Sequence, residues 1–279
     1  MSRTLVGLIR ASHPEPGAAV TVAATLLAVG AGHHLAGALR VAVVVLATQL
    51  AVGWVNDWLD AGRDTLTGRA DKPLATGAVS RRAVGTAGLV AALTTPVLAM
   101  SCGVPAAICI TVALLSALLY DWPLKFTAAS VLPYVVSFAL LPAFVVLALP
   151  GSPAPPAWLL AAGGLLGGGA HFANVLPDLA DDARTGVRGL PHRIGPGWSR
   201  AAAATLLLAA TMVLVFGPPG PATWAGLIAV AAAVVVLPAG WYAGRAALAR
   251  GARPVAGFRA VLVVAVIDVL LLVASGRVV

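Results

Sequence analysis

The sequence of 279 residues predicts an all-α protein, a polytopic bundle of about nine transmembrane helices that forms a single domain over residues 1–279. Three observations lead to this prediction. The composition is 60% hydrophobic and 10% charged, whereas soluble domains carry about 25% charged residues. The apolar residues form runs close to the length that a helix needs to cross a bilayer. The cationic residues lie in the breaks between these runs, as they do in membrane proteins.

Breaks of proline, glycine or charged residues separate the apolar runs into nine predicted spans. The spans are 16–36, 39–56, 83–101, 104–121, 128–149, 156–177, 199–216, 221–243 and 256–275. Every second break is short and nearly uncharged, and the others are polar and basic. The segment before the first span has no uninterrupted apolar core, so we expect no removable signal peptide.

The distribution of the 18 lysines and arginines predicts the orientation of the bundle. With nine spans, all of them except Arg40 and Arg277 fall on the same side as the N-terminus. The positive-inside rule therefore predicts a cytoplasmic N-terminus and an external C-terminus. Because the net charge of +8 is spread over these short loops, we expect no nucleic-acid partner. The excess of arginine over lysine, with abundant Ala, Gly and Val, suggests a high-GC bacterial genome and hence a bacterial plasma membrane.

Acidic residues are concentrated at the predicted cytoplasmic ends of the helices. Eight of the ten acids lie there, although acids contribute little to membrane orientation. Carboxylates at the ends of apolar helices are costly and usually functional. The eight are Asp57, Asp60, Asp64, Asp71, Asp121, Asp178, Asp181 and Asp182. Their placement predicts a functional site at the cytoplasmic face.

Two of these acidic clusters follow the second and sixth spans. In the first, Asp57, Asp60 and Asp64 are spaced i, i+3 and i+7, so a continuing helix places all three on one face. In the second, the spacing i, i+4 and i+8 predicts the same arrangement for Asn174, Asp178 and Asp182.

Facing carboxylate clusters repel one another unless a cation lies between them. Mg²⁺ prefers oxygen ligands and commonly binds through carboxylates together with substrate phosphates. The sequence offers no His and Cys ligand set for a softer metal. The two clusters therefore predict a clamp that holds Mg²⁺ and a diphosphate.

Several segments carry a family resemblance. Asn56–Asp64 is similar to the NDxxDxxxD motif of the UbiA superfamily of intramembrane prenyltransferases, and 174–182 resembles its second, DxxxD-type motif. Residues 69–77 resemble the segment R-x-x-R-P-L-x-x-G, with Lys72 in place of the usual arginine. The stretch from Tyr120 to Lys125 resembles a Tyr–Lys element of the family, and 186–191 resembles the segment after the second motif.

The resemblance implies a role for each matching position. Mg²⁺ bridged to the diphosphate would be held by Asn56, Asp57, Asp60, Asp64, Asn174, Asp178 and Asp182. The diphosphate oxygens would be bound by Lys125, Arg69 and Lys72, as suits ammonium and guanidinium groups. Tyr120 would orient the leaving group, and Arg188 would contact the substrate.

The implied activity is Mg²⁺-dependent transfer of a prenyl group from a polyprenyl diphosphate to a small lipophilic or aromatic acceptor, within membrane lipid at the cytoplasmic face. Other members of the superfamily cyclise the diphosphate or use phosphoribosyl donors, and the motifs do not separate these reactions. A coupled transporter is an alternative of another class, but its acids would be expected at the membrane midplane, where only Asp268 is predicted.

Four further positions have open interpretations. His171 lies on the same helix face as Asn174 and either contacts the acceptor or packs between helices. We expect Asp268 to form an interhelical hydrogen bond, and we expect Asp71 and Asp121 to pair with Lys72 and Lys125. The glycines of the sixth span are Gly163, Gly164, Gly167, Gly168 and Gly169. They predict close helix packing, although they would also leave room for a long isoprenoid chain.

Overall fold

The computed structural model describes residues 3–251 together with residues 256, 259, 260, 263, 264, 266–268 and 270. In this part of the chain all regular structure is helical. The α-helices are α1 (Arg3–Ala11), α2 (Pro14–Gly30), α3 (Leu35–Leu66), α4 (Arg81–Ala99), α5 (Val104–Asp121), α6 (Leu132–Leu147), α7 (Ala157–Val175), α8 (Leu179–Arg184), α9 (Leu190–Phe216) and α10 (Trp224–Ala249). Most of the predicted ninth span, and the C-terminus, lie outside the described residues.

Six of the described helical segments are long and apolar enough to cross a membrane. They are Leu35–Leu66, Arg81–Cys102, Val104–Asp121, Ala128–Leu147, Leu190–Phe216 and Trp224–Ala247. Helices α2 and α7, with 17 and 19 residues, occupy the first and sixth predicted spans. The all-helical membrane architecture is confirmed, and the number of nine spans is approximate.

Two helices extend nine or ten residues beyond the predicted spans. Helix α3 continues ten residues past the predicted end at 56, because no proline or glycine pair interrupts the polar segment that follows. Helix α9 begins at Leu190 rather than at 199, and it is kinked where Gly195 takes a positive φ of 80° before Pro196. Glycine adopts this backbone conformation without the steric cost that a side chain would add.

Successive helices pack side by side: α2 on α3, α3 on α4, and so on to α7, which packs on α9, and α9 on α10. Contacts of α2 with α6 and of α3 with α5 close this row of helices into a bundle. One hydrophobic core lies among α2, α3, α5 and α6 and includes Val41, Ile110 and Phe144. A second core, which includes Phe172 and Leu207, lies among α7, α9 and α10.

The glycines of α7 bring that helix against the backbone of α6. A Cβ added at Gly163 or Gly167 would overlap the carbonyl oxygens of Phe138 and Tyr134. Small residues are what allows such close approach between membrane helices. The close packing predicted for these glycines is present between α6 and α7.

Candidate active site

A cavity of about 640 Å³ lies inside the bundle, enclosed chiefly by α2, α3, α5, α6 and α7. Its lining on α7 extends from Leu159 to Val175, which at 1.5 Å per residue is a depth of about 24 Å. Most of this depth is lined by apolar side chains such as Leu27, Ile110 and Leu166. The end at which α3, α5 and α7 terminate is polar, and we call it the polar end.

Charged side chains of both signs line the polar end. In the described part of the chain the carboxylates are Asp60, Asp64, Asp71, Asp121, Asp178, Asp181 and Asp182, and the cations are Arg10, Arg63, Arg69, Lys72 and Lys125. Seven carboxylates thus face five lysine and arginine groups. The polar end carries an excess of negative charge that a bound cation would offset.

The first motif lies on the buried face of α3, since the helix continues unbroken through Asp57, Asp60 and Asp64. Asp60 is held at both oxygens: Lys125 donates a hydrogen bond to Oδ1, and Nη2 of Arg63 lies 3.1 Å from Oδ2. Lys125 itself is only 5% exposed. It reaches Asp60 from the short 3₁₀ helix Leu124–Phe126, which follows α5.

Asp57 is 1% exposed and lies behind the cavity wall rather than on it. Its Oδ1 accepts hydrogen bonds from Lys72 Nζ at 2.6 Å and from His13 Nε2 at 2.8 Å. Both of those side chains line the cavity. Its Oδ2 is buried and has no hydrogen-bond partner among the described residues. Binding of a metal by Oδ1 of Asp57 would require Lys72 or His13 to move aside, whereas Oδ2 is not occupied by either side chain.

The second motif is divided between two helices, which corrects the expectation of one uninterrupted helix. Helix α7 ends at Val175, residues 176–178 form a turn, and α8 begins at Leu179. Pro177 explains the break, because proline has no N–H for the helical hydrogen bond and its ring clashes with the preceding turn. Asn174, Asp178 and Asp182 nevertheless all line the cavity.

Two arginines connect the motifs across the polar end. Arg63 Nη2, already paired with Asp60, lies 3.8 Å from Asp182 Oδ1. Arg69 Nη1 lies 3.5 Å from Asp178 Oδ1. Arg69 also forms a two-bond pair with Asp71 at 2.9 and 2.8 Å, and this hydrogen bonding raises the pKa of its guanidinium above the ordinary value. The two motifs are therefore brought together at one end of the cavity.

The expected partners of Asp71 and Asp121 differ from those in the structure. Asp71 pairs with Arg69, while the ammonium group of Lys72 is bonded to Asp57. Asp121 Oδ1 accepts a hydrogen bond from Asn56 Nδ2 at 2.8 Å, while Lys125 bonds Asp60. Sequence proximity suggested the wrong partner for Lys125 because the chain turns towards α3 after α5.

Aromatic side chains form the cavity wall next to the acids. The rings of Tyr120 and Tyr134 meet edge to face with centroids 4.9 Å apart, and Tyr134 lies 5.0 Å from the ring of His171. Asn174 donates a hydrogen bond to the Tyr134 hydroxyl at 3.1 Å. His171 is buried, with Nε2 3.1 Å from Ser130 Oγ, and it also lines the cavity. His171 thus both packs against neighbouring side chains and lines the cavity wall.

Two predicted positions lie away from the polar end. Arg188 is exposed, and it is not among the residues that line the cavity. Asp268 is buried deep in the bundle, where its Oδ2 accepts a hydrogen bond from Thr211 Oγ1 at 3.0 Å. The interhelical hydrogen bond expected for Asp268 is therefore present, and Asp268 also borders the cavity.

Sequence reasoning missed several side chains of the polar end, among them His13, Arg63, Tyr134 and His192. His192 Nε2 lies 3.4 Å from Asp182 Oδ2, much as His13 lies against Asp57. The only signal available in the sequence was the position of Arg63 inside the first motif. Nothing in the sequence links His13 to an aspartate 44 residues further along.

The donor groups of the polar end fit a hard divalent cation. They are carboxylate and amide oxygens, the ligands that Mg²⁺ prefers, and they carry excess negative charge. Two carboxylate oxygens, Asp57 Oδ2 and Asp121 Oδ2, are buried without a partner in the described part of the chain. No group of three or more His, Cys, Asp or Glu side chains among the described residues is already arranged around one point.

Comparison with known proteins identifies relatives over nearly the whole chain. Residues 18–274 match the model of the UbiA prenyltransferase family. The fold is similar to that of a UbiA homolog from Archaeoglobus fulgidus bound to DMAPP and Mg²⁺, with a TM-score of 0.70 and 16% identity over 96% of this chain and 97% of that one. A UbiA homolog from Aeropyrum pernix K1 gives a TM-score of 0.68 and 22% identity over 92% and 96%.

A digeranylgeranylglyceryl phosphate synthase also shares the fold, with a TM-score of 0.68 and 16% identity over 99% of both chains. No protein of curated function matches the sequence. At these identities the likeness to solved structures establishes a common fold.

Proposed function

Because the chain belongs to the UbiA prenyltransferase family, we propose that it transfers a prenyl group from a polyprenyl diphosphate to a small lipophilic acceptor, which we expect to be aromatic. The observation that carries this proposal is the convergence of both aspartate motifs, with four lysines and arginines, at the mouth of one apolar cavity. A charged clamp joined to an apolar channel matches a substrate with a diphosphate head and a hydrocarbon chain.

The proposed reaction begins with cleavage of the allylic C–O bond, which leaves negative charge on the diphosphate and positive charge on the allyl fragment. Groups placed where charge develops lower such a barrier. The chemistry that Mg²⁺ supplies at such a site is neutralisation of the leaving diphosphate. The side chains that would hold it are those of Asn56, Asp57, Asp60, Asp64, Asn174, Asp178 and Asp182. Solved structures of a UbiA homolog bound to Mg²⁺ with DMAPP or GPP support the requirement for Mg²⁺.

Lys125, Arg69 and Lys72 would bind the diphosphate oxygens in this proposal. Each of them is bonded to a carboxylate of the polar end, Lys125 to Asp60, Arg69 to Asp178 and Lys72 to Asp57. A bound diphosphate would replace the carboxylates as the partner of these cations. The carboxylates would then be able to bind the metal. The ion pairs in the structure would thus keep both sets of ligands close to their proposed positions and offset part of the cost of burying their charges.

The apolar part of the cavity would hold the prenyl chain and keep water away from the allyl cation. Tyr120 and Tyr134 border the region between the acids and this apolar part, so in this proposal they would lie next to the reacting carbon. Their ring faces would favour a cation there. The acceptor would approach in the same region, and its nucleophilic atom would capture the allyl group before water does.

Product analysis tests the proposal. Purified protein would be incubated with Mg²⁺, allylic diphosphates of increasing length and a panel of aromatic acids and quinone precursors, and products would be identified by mass spectrometry. We expect a prenylated acceptor and little diphosphate release when acceptor is omitted. Rapid conversion of geranylgeranyl diphosphate into a cyclic hydrocarbon without acceptor would show a cyclase instead.

A further inference from the structure

Arg63 occupies a position that the NDxxDxxxD pattern leaves unspecified, directly before Asp64. It lies three residues after Asp60 on α3 and lines the cavity. A single nitrogen of its guanidinium, Nη2, makes both of its recorded ion pairs, at 3.1 Å to Asp60 and 3.8 Å to Asp182. Arg63 therefore lies between the first and second motifs, where a substrate head group is proposed to bind.

The other two nitrogens of this guanidinium have no acceptor within the described part of the chain. Nε and Nη1 are buried and have no hydrogen-bond partner among the described residues. Arginine carries five N–H donors, of which Nε and Nη1 supply three. Buried donors without partners are unfavourable and uncommon in folded proteins. The unpaired donors indicate that a ligand with several strong acceptor oxygens completes this site.

The surroundings hold Arg63 next to a second cation. Its guanidinium lies 5.9 Å from the centre of the Phe126 ring, and Lys125 Nζ lies 5.6 Å from the same ring. Lys125 bonds Oδ1 of Asp60 and Arg63 bonds Oδ2. Two cations therefore share one carboxylate, and an anion with more oxygens than a carboxylate would satisfy both of them better.

We infer that Arg63 binds the diphosphate of the substrate through Nε and Nη1, and that this contact draws its guanidinium away from Asp60 and Asp182. The inference rests on the proposed function, since it assigns a further residue to the same diphosphate. Planar guanidinium groups bind phosphate oxygens through two parallel bonds, which a lysine does not reproduce. In Arg63 each such pair would join Nε or Nη1 to Nη2, once Nη2 has left the two carboxylates. The competing role for Arg63 is that of a structural tie between the motifs.

Binding measurements separate these roles. Inorganic pyrophosphate and geranyl S-thiolodiphosphate would be titrated by calorimetry in saturating Mg²⁺ into the wild type, Arg63→Gln, Arg63→Lys and Arg81→Gln. Mn²⁺ binding without diphosphate would be followed by electron paramagnetic resonance. Arg81 is a matched control because its guanidinium also lies over an aromatic ring, 5.4 Å from that of Trp58, but it is exposed and away from the cavity.

We expect Arg63→Gln to raise the Kd of both diphosphates by about 10-fold or more, the value of a lost charge-assisted bond. Mn²⁺ binding should be equal or tighter, because Asp60 and Asp182 lose a competing cation. The Kd values of Arg63→Lys should lie between those of the wild type and of Arg63→Gln. The Kd values of Arg81→Gln should equal those of the wild type. Unchanged diphosphate binding in Arg63→Gln would overturn the inference, and so would equal weakening of diphosphate and Mn²⁺ with a lower Tm.

Binding of the two diphosphates by the wild type tests this inference separately from the proposed function. Binding of pyrophosphate that depends on Arg63, without binding of the thiolodiphosphate, would support the anion site and overturn the allylic substrate. Binding of neither ligand by the wild type would overturn both.

Discussion

At the scale of single residues, the polar end is a set of carboxylates whose partners are side chains of the same protein. Asp60 is held by Lys125 and Arg63, Asp57 by Lys72 and His13, and Asp178 by Arg69. Burying ionised groups is costly unless they are paired. These pairs therefore allow the chain to keep a dense acidic site at the end of an apolar bundle before any ligand arrives.

Replacing Asp60 or Asp178 with Asn tests the roles proposed for these carboxylates. The change preserves side-chain size but deletes a charge that would bind Mg²⁺, so we expect each variant to lose about 10²-fold or more in kcat, comparable to removal of a principal electrostatic stabiliser. Steady-state prenyl transfer at saturating Mg²⁺ is the measurement.

Glu15→Gln provides the control for these variants. Glu15 lies at the same end of the bundle in an exposed pair with Arg259, 3.2 Å away, and it does not line the cavity. This variant should retain wild-type turnover. Near-normal turnover in both aspartate variants would refute the metal-binding role.

At the scale of helices, the two motifs reach the cavity in different ways. Helix α3 is continuous through the first motif, so its aspartates take the positions that helical spacing predicts. In the second motif Pro177 separates α7 from α8, and the turn between them brings Asp178 and Asp182 back towards α3. The internal similarity of the motifs in sequence therefore does not extend to their backbone.

The contact between α6 and α7 depends on residues without a side chain. We expect Gly167→Ala to destabilise the protein by about 1–3 kcal/mol, the usual cost of overpacking, because its Cβ would overlap the carbonyl oxygen of Tyr134 and the ring of Phe138. The measurement is the Tm in detergent. Gly197→Ala on α9 is the control, since an added Cβ there meets no atom within 4 Å. An unchanged Tm for Gly167→Ala would show that the two helices readily move apart.

At the scale of the whole molecule, consecutive helices form a bundle with the charged site at one end and apolar surface around its sides. The loops at the polar end carry most of the cations, which predicts that this end faces the cytoplasm. The opposite end is closed by short connections such as 148–156 between α6 and α7. The charged head group of the donor would then reach the active site from the cytoplasm, and its hydrocarbon chain would enter the cavity from the bilayer.

Labelling of single cysteines tests this orientation. In a variant with Cys102 and Cys109 replaced by Ala, we expect Ala154→Cys to react with a membrane-impermeant maleimide on intact cells, since position 154 is exposed at the predicted external end. Ala78→Cys, exposed in the loop before α4, should react only after permeabilisation. The reverse pattern would invert the proposed topology.

The sequence by itself determined the helical membrane class, the family and the two motifs. Each depends on local information: the length of apolar runs, the spacing of Asp57, Asp60 and Asp64 on one helix, and a set of short segments in a given order. Only the tertiary structure decided which groups meet. The pairing of His13 with Asp57, of Lys125 with Asp60 rather than Asp121, and of Arg63 with both motifs joins residues up to 119 positions apart. Such contacts depend on how helices pack and where the chain turns between them, and no periodicity in the sequence records either.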